Sequence, residues 1–144
     1  MRCLIERVKE TECIIDSLSH SKIGKGLLVY VAFEEKDNNQ IIDKALEKIK
    51  KLRIFTDNQG KLNLSIDQVE GEVMIISSFS LFADLYTGSR PSFSKSLSFS
   101  CAKPLYDYTI SKAKDMFKLS SSIFGADMRI LSTNDGPVSL ILDI

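Results

Sequence analysis

The stretch "GLLVYVAF", residues 26–33, decides the fold, because seven apolar or aromatic residues follow its single glycine without interruption. An apolar run of this length, rich in residues that favour β-structure, is typical of a central strand that is buried on both faces of a sheet. The neighbouring segments must therefore cover this strand on both sides.

Further strands are predicted on both sides of this central one. Residues 2–8 and 12–18 are predicted as two short strands, joined by a tight connection at Glu10 and Thr11. The stretch "EVMIISSFSLF", residues 72–82, is predicted as a second strong strand because it opens with an uninterrupted apolar run. Its second half contains serines where a core strand normally carries apolar side chains.

Two helices and a hairpin are predicted between and after these strands. In residues 40–52, "QIIDKALEKIKKL", apolar side chains recur at helical spacing. Residues 53–65 carry turn residues between two short strands and predict a hairpin. Residues 84–103 are predicted as a long functional or interface loop. Pro104 suits the first turn of a second helix, which is predicted to run to about Leu119.

The chain is predicted to close with two strands, residues 128–134 and 138–144, around a turn at Asp135-Gly136-Pro137. Strands and helices do not alternate regularly, so a doubly wound parallel sheet is excluded. The length of 144 residues favours a single domain, residues 1–144. We therefore predict an α+β fold with two main helices and a strongly curved, barrel-like, mostly antiparallel sheet.

The charge balance excludes a strong general attraction to nucleic acid. The 19 basic and 19 acidic residues give a net charge of zero, so any contact with a polyanion must come from a local patch. The cations Lys48, Lys50 and Lys51 near the end of the first predicted helix are better explained as a solvated face than as a phosphate site. No apolar run is long enough to cross a membrane and no signal peptide is recognisable, which predicts a cytoplasmic protein.

The metal-ligating residue types are too few for a metal centre. Cys3, Cys13 and Cys101 form no Cys-x-x-Cys pair, and His20 is the single histidine. The sequence therefore predicts reduced thiols and no bound metal.

Conventional catalytic motifs are also missing. There is no Gly-x-Ser-x-Gly elbow, no P-loop and no dinucleotide fingerprint, and His20 lies in a polar turn without a supporting pattern. An enzyme without acid–base side chains needs a reactive substrate, such as an activated ester. Positioning and backbone N–H donors at the developing oxyanion supply most of the catalysis for such a bond. The stretch "SSFS", residues 77–80, suits this role because small side chains let a ligand approach the backbone.

The stretch "NDGPV", residues 134–138, leaves two interpretations open. Gly-Pro between two strands is a turn by default. Proline also adopts a cis peptide bond more readily than other residues, and a cis bond before Pro137 would fix the backbone carbonyls in an unusual direction.

These two stretches, together with "LRIFTDNQGKLNLS", "RPSF" and "FGADM", resemble the D-aminoacyl-tRNA deacylase family, also called the D-tyrosyl-tRNA deacylase family. The resemblance runs from "MRCLIERV" to "GPVSLILDI" and so covers essentially the whole chain. It implies a homodimer with two active sites at the subunit interface. It also implies hydrolysis, without metal or cofactor, of the ester that joins a D-amino acid to the 3′ end of tRNA. Glycine mischarged on alanine tRNA would be a second substrate.

The resemblance also implies roles for particular residues. The family's Ser-Gln-Phe-Thr signature falls on the catalytic stretch Ser77-Ser78-Phe79-Ser80, where the amide around Phe79 would bind the carbonyl oxygen. Either the hydroxyl of Ser80 or the 2′-hydroxyl of the tRNA would be the nucleophile.

Two further segments match the family's binding site. Gly136 and Pro137 would reach into the partner subunit's pocket and exclude L-amino acids. The substrate-binding set would include residues that shape the pocket for the terminal adenosine, and the residue two positions after the Gly-Pro pair: Phe124, Gly125, Ala126, Met128 and Ser139.

Three departures from the family pattern keep alternatives open. Ser78 replaces a glutamine, and Ser80 and Ser139 replace threonines. The loss of the glutamine carboxamide makes a relative that binds tRNA or a protein without hydrolysis the first alternative. A deacylase of relaxed chirality, with a trans bond before Pro137, is the second. A serine hydrolase that depends on His20 is a distant third.

Overall fold

A curved sheet and two helices form the protein, whose computed structural model describes residues 1–86 and 88–144. Among the described residues, one 3₁₀ turn, Phe79–Phe82, lies between the sixth strand and the second helix. In chain order the strands and helices of the described residues are β1 (Arg2–Ile15), β2 (Leu18–Ile23), β3 (Gly26–Ala32), α1 (Asn39–Lys51), β4 (Phe55–Thr56), β5 (Leu62–Leu64), β6 (Glu72–Ser77), α2 (Phe99–Lys114), β7 (Lys118–Ser121) and β8 (Met128–Asp143).

The main sheet has the strand order β2-β1-β3-β6-β7, and β8 adds to β1. β1 runs antiparallel to β2, β3 and β8, whereas β3–β6 and β6–β7 are parallel pairs. The sheet curls until its outer strands β7 and β2 meet, where the hydroxyl of Ser120 donates to the carbonyl of Lys22 at 3.4 Å. The predicted barrel-like sheet with two helices is confirmed, and its parallel pairs make it mixed.

β1 is one strand of 14 residues, so the prediction of two strands with a connection at Glu10 and Thr11 is wrong. Residues 2–8 pair with β3, and residues 11–15 pair with β2. The polar residues at this point mark a change of neighbour and not a reversal of the chain. The other edge of β1 pairs with β8 from Arg2 opposite Asp143 to Ile15 opposite Met128.

β6 ends at Ser77, so the predicted strand over residues 72–82 is too long. The amide of Ser78 still donates to the carbonyl of Val31 on β3, at 2.8 Å. The chain then curls, because Leu81 N–H donates to the carbonyl of Ser78 and Ala83 N–H to that of Ser80. Serine favours such local turns over continued pairing.

α2 begins at Phe99 and ends at Lys114, five residues earlier at each end than the predicted span from Pro104 to Leu119. Pro104 lies inside the helix, where it removes the N–H that would bond to the carbonyl of Ser100. Because Pro104 is the sixth residue of α2, it does not mark the first turn. Residues 118–121 leave the helix and form β7.

The C-terminal segment is one strand, β8, and not two strands around a turn. Both halves pair with β1, so the chain does not reverse. The pairing jumps from Ser139 opposite Glu6 to Asn134 opposite Val8, and residues 135–138 bulge out of the ladder between them. The Gly136–Pro137 peptide bond in this bulge is cis.

Two cores cover the two faces of the sheet. On the helix side, α1 buries Ile42, Ala45, Leu46 and Ile49 against the sheet, as its periodicity predicts. The side chains of β3 alternate between the two cores: Leu27, Val29 and Val31 belong to the helix side, and Leu28 belongs to the barrel interior. β3 is therefore buried on both faces, and the predicted hairpin is present as β4 and β5.

Candidate functional site

A cavity of about 550 Å³ lies where β3 and β6 end, at the beginning of α2. The parallel pair β3–β6 delivers both strand ends to this edge of the sheet. Two further segments, residues 93–102 and 124–128, complete the cavity wall. The described residues that line the cavity are Val31, Ala32, Phe33, Ser77, Ser78, Phe79, Ser80, Phe93, Ser96, Leu97, Ser98, Phe99, Ala102, Phe124, Gly125, Ala126 and Met128.

Two of the sequence-predicted segments meet in this cavity. The predicted catalytic stretch Ser77-Ser78-Phe79-Ser80 lines it, and so do the four residues of the predicted adenosine pocket, at positions 124–126 and 128. Gly136, Pro137 and Ser139 are not among the described residues that line the cavity of their own chain.

No described residue that lines the cavity carries an ionisable side chain. Tyr106 lies behind the wall, where its hydroxyl donates to the carbonyl of Ile75 at 3.1 Å. Burial raises the pKa of Tyr106, so its hydroxyl stays neutral at physiological pH. The cavity therefore has hydroxyl and amide groups for polar contacts but no group for acid–base chemistry.

The hydroxyls of Ser78 and Ser80 face each other, with 3.0 Å between the two Oγ atoms. Within residues 1–86 and 88–144, neither hydroxyl bonds to a carboxylate, an imidazole or an amine. A serine becomes a strong nucleophile through an adjacent base. Ser80 therefore has no base to activate it inside the described part of the chain.

The amides of Phe79 and Ser80 are two free donors beside the cavity. Neither N–H reaches an acceptor in the part of the chain that the structure describes, whereas the flanking amides of Ser78 and Leu81 are both paired. The hydroxyl of Ser96 donates to the carbonyl of Phe79 at 2.7 Å and so holds the peptide that carries the Ser80 N–H. Two adjacent free amides next to a cavity can stabilise a negatively charged oxygen.

An aromatic wall forms the opposite side of the cavity. The ring centroids of Phe99 and Phe124 lie 4.8 Å apart, and those of Phe124 and Tyr106 lie 5.3 Å apart. Gly125 has a φ of +74°, and a Cβ atom there would lie 2.3 Å from Cε2 of Phe99. Sequence reasoning missed Phe99, although a phenylalanine between two serines in "SLSFS" is a usable signal.

The bulge at residues 135–138 is held by the buried side chain of Arg7. The Nε atom of Arg7 donates to the carbonyl of Asp135 at 2.8 Å and lies 3.3 Å from its carboxylate. The Nη1 atom donates to the carbonyl of Ile54 at 2.7 Å. Sequence reasoning missed Arg7 because nothing in "ERVKE" distinguishes a buried arginine from a surface one.

A second set of hydrogen bonds closes the base of this bulge. The side chain of Asn134 accepts from the amide of Val138 at 3.1 Å and donates to the hydroxyl of Ser139 at 3.1 Å. Ser139 in turn donates to the carboxylate of Glu6 at 3.3 Å. The predicted site residue Ser139 therefore supports the bulge in its own chain.

Across the described residues, no three His, Cys, Asp or Glu side chains come together as a metal site would require. No helix in the same residues combines the length and apolarity of a membrane span. His20 lies on β2, away from the residues that line the cavity.

The sequence matches known proteins over its full length. A sequence model of the family described as D-Tyr-tRNA(Tyr) deacylase matches residues 4–143. The chain is 43% identical over 144 residues to a D-aminoacyl-tRNA deacylase of Haemophilus influenzae, and all of both chains is covered. It is 42% identical to a D-aminoacyl-tRNA deacylase of Finegoldia magna, with 99% of this chain and 97% of the relative covered.

Solved structures show the same fold. A structure described as c-Myc DNA unwinding element binding protein superposes with a TM-score of 0.94 at 25% identity, covering 100% of this chain and 99% of that one. A probable eukaryotic D-amino acid tRNA deacylase superposes with a TM-score of 0.85 at 16% identity, covering 99% and 98% of the two chains.

Proposed function

The chain belongs to the D-Tyr-tRNA(Tyr) deacylase family, and from this membership we propose that it hydrolyses the ester between a D-amino acid and the 3′ end of a tRNA. The observation that carries the proposal is the uncharged cavity beside two unpaired amides, at Phe79 and Ser80. An aminoacyl ester is activated, so its hydrolysis does not require a strong general base. Because aminoacyl-tRNA is made and used in the cytoplasm, the reaction takes place there.

The proposed reaction begins when the ester carbonyl oxygen accepts hydrogen bonds from the amides of Phe79 and Ser80. Water attacks the carbonyl carbon, assisted by the 2′-hydroxyl of the terminal ribose. The bond between the carbonyl carbon and the 3′-oxygen then breaks, and that oxygen leaves with a proton as the tRNA 3′-hydroxyl. Preorganised amides stabilise the oxyanion as it develops. Ser77, Ser78 and Ser80 line the path of the ester as small polar residues.

Ser80→Ala is expected to lower kcat for D-tyrosyl-tRNA only modestly, by about tenfold, because the amide donor is retained and only a hydroxyl is lost. Single-turnover hydrolysis with enzyme in excess measures this directly. Ser94→Ala, which removes a hydroxyl from the nearby loop outside the cavity, is the matched control. A complete loss of hydrolysis with the fold intact would make the Ser80 hydroxyl the essential nucleophile.

A homodimer is proposed as the working form. β8 exposes three large apolar side chains, Leu131, Leu140 and Ile141, and the bulge at residues 135–138 does not line the cavity of its own chain. A second copy seated on β8 would cover these side chains and bring Gly136 and Pro137 to the partner subunit's cavity. Light scattering is expected to give twice the mass of the chain, and a monomer that retains full activity would contradict this arrangement.

Chiral selection is proposed to rest on the backbone of Gly136 and Pro137. These residues offer carbonyl groups and little side-chain bulk, and Arg7 and Asn134 hold the segment. A fixed backbone admits a D-side chain and glycine but clashes with the side chain of an L-amino acid. The remaining residues of the proposed binding set, at positions 124–126 and 128, would contact the terminal adenosine.

The decisive experiment compares D-Tyr-tRNA, L-Tyr-tRNA and glycyl-tRNA charged on alanine tRNA, with wild type and Ser78→Gln side by side. We expect cleavage of the D-tyrosyl and glycyl esters by both proteins and no cleavage of the L-ester. Absence of all cleavage would contradict the proposed function.

Two alternatives are distinguished by the same assay. Ser78 favours a relative that binds tRNA or a protein without hydrolysis, and recovery of cleavage only in Ser78→Gln would support that role. The second alternative, a deacylase of relaxed chirality, was predicted with a trans bond before Pro137, whereas this bond is cis. Cleavage of the L-ester at a rate similar to the D-ester would support relaxed chirality with the cis bond in place.

A further inference from the structure

We propose that Phe99 is a stacking platform for the nucleobase that precedes the terminal adenosine in the single-stranded 3′ end of the tRNA. This inference rests on the proposed function, because it extends the binding site for the same substrate by one nucleotide. The ligand is therefore a base of single-stranded RNA that is covalently joined to the nucleotide in the cavity.

Three aromatic rings form a row from the core to the surface. Tyr106 is buried, Phe124 is partly buried against it, and Phe99 is 64% exposed at the outer end. Phe99 is the first residue of α2, and its ring therefore lies on a helix rather than on a free loop. Phe124 and Phe99 both line the cavity, so the row of rings follows the cavity wall to the exposed ring of Phe99.

The position of the Phe99 ring is defined by its neighbours. One part of the ring contacts Phe124, and its edge lies against Gly125, where no side chain would fit. The exposed fraction of Phe99 means that the ring contributes little to the hydrophobic core. A large, fixed and exposed aromatic surface at the mouth of a cavity is typical of a binding site.

The spacing of the rings suits two successive bases. The centroids of Phe99 and Phe124 lie 4.8 Å apart and the ring planes are tilted by 54°, so the two rings suit neighbouring bases that are not stacked on each other. A terminal adenine against Phe124 would therefore place the preceding base within reach of Phe99. Unstacked bases at RNA ends are commonly held on aromatic side chains in this way.

The chemistry of the neighbouring cavity wall also favours a base over a phosphate at this position, because Lys103, one helical turn from Phe99, is already paired with Asp107. The described residues around Phe99 in the cavity wall are Ser98, Ala102, Phe124 and Gly125, which offer apolar surface and a hydroxyl. Stacking tolerates any base because every base has a π face, so the site would not select a sequence.

The test uses two small esters, 3′-O-D-tyrosyl adenosine and 3′-O-D-tyrosyl cytidylyl-adenosine, and measures kcat/KM for each. Wild type is expected to prefer the dinucleotide by about tenfold, the range that one base–aromatic stack contributes. Phe99→Leu is expected to abolish this preference, and Phe99→Tyr, which retains a ring, is expected to keep it. Tyr86→Leu removes another exposed ring outside the cavity wall and serves as the control.

Binding of uncharged cytidylyl-adenosine and of adenosine, measured by calorimetry, separates this inference from the proposed function. A tenfold preference for the dinucleotide that Phe99→Leu removes supports the platform even if neither ester is cleaved. Equal preference in wild type and Phe99→Leu would overturn it. An equal loss of affinity for adenosine and for cytidylyl-adenosine in Phe99→Leu would also overturn it, because the only role of Phe99 would then be to shape the cavity. Dissociation of a dimer by Phe99→Leu would assign the ring to a subunit contact instead.

Discussion

Replacing Arg7 with methionine is expected to lower the free energy of unfolding by about 3 kcal/mol and kcat/KM by about 100-fold. Methionine fills the space but donates no hydrogen bond, so the buried carbonyl of Ile54 and the carbonyl of Asp135 lose their donor. The bulge that carries Gly136 and Pro137 then loses its anchor. A displacement of about 1 Å is sufficient for a rate loss of this size.

Urea denaturation and D-tyrosyl-tRNA hydrolysis measure the two effects separately. Lys9→Met is the matched control, because Lys9 approaches the same Asp135 carboxylate at 4.0 Å but is 69% exposed. The control is expected to change the unfolding free energy by less than about 0.5 kcal/mol. Near wild-type hydrolysis by a destabilised Arg7→Met protein would show that activity does not depend on the anchored bulge.

Gly26→Ala is expected to destabilise the fold by about 4 kcal/mol or more. Gly26 lies opposite Glu72 in the parallel pair of β3 and β6. A Cβ atom at this position would lie 1.8 Å from the carbonyl oxygen of Glu72 and within 3 Å of its carbonyl carbon and nitrogen. The obstacle is backbone, so no side-chain rotation relieves it, and β3 and β6 must move apart. These two strands deliver the cavity walls, and activity should fall with stability.

Thermal unfolding of purified protein, or the yield of folded protein where none can be purified, measures the effect of Gly26→Ala. Gly24→Ala is a control two residues away, because its Cβ would lie at an ordinary 3.5 Å from the Glu72 carboxylate. The amide of Gly24 would still donate to that carboxylate. Equal melting temperatures for the two variants would show that β3 and β6 tolerate separation at this end.

The elements with clear periodicity were predictable from sequence. The apolar run of β3 and the helical spacing of α1 are local signals, and the structure confirms both. The turn residues of the β4–β5 hairpin are equally local. The fold class followed from the order of such elements, because a non-alternating order excludes a doubly wound sheet.

Features that depend on tertiary partners were not predictable in the same way. β1 stays extended through polar residues because it gains β2 as a neighbour when it leaves β3, and no local pattern encodes that exchange. The bulge in β8 depends on Arg7, more than a hundred residues earlier. The resemblance brought the segments at 77–80 and 124–128 together as one site, whereas Phe99 required the geometry.

The pairing of β1 with β8 also has a consequence for biosynthesis. β1 is complete once residue 15 is made, but its second edge is covered only by β8, which ends at Asp143. Until β8 has been made, the nascent chain therefore presents a long unpaired strand edge, which is a template for aggregation. The pairing of β1 with β8 joins residues that are 113 to 141 positions apart, and contacts of such high sequence separation form slowly. We expect the emerging polypeptide to depend on chaperones on the ribosome more than its small size suggests.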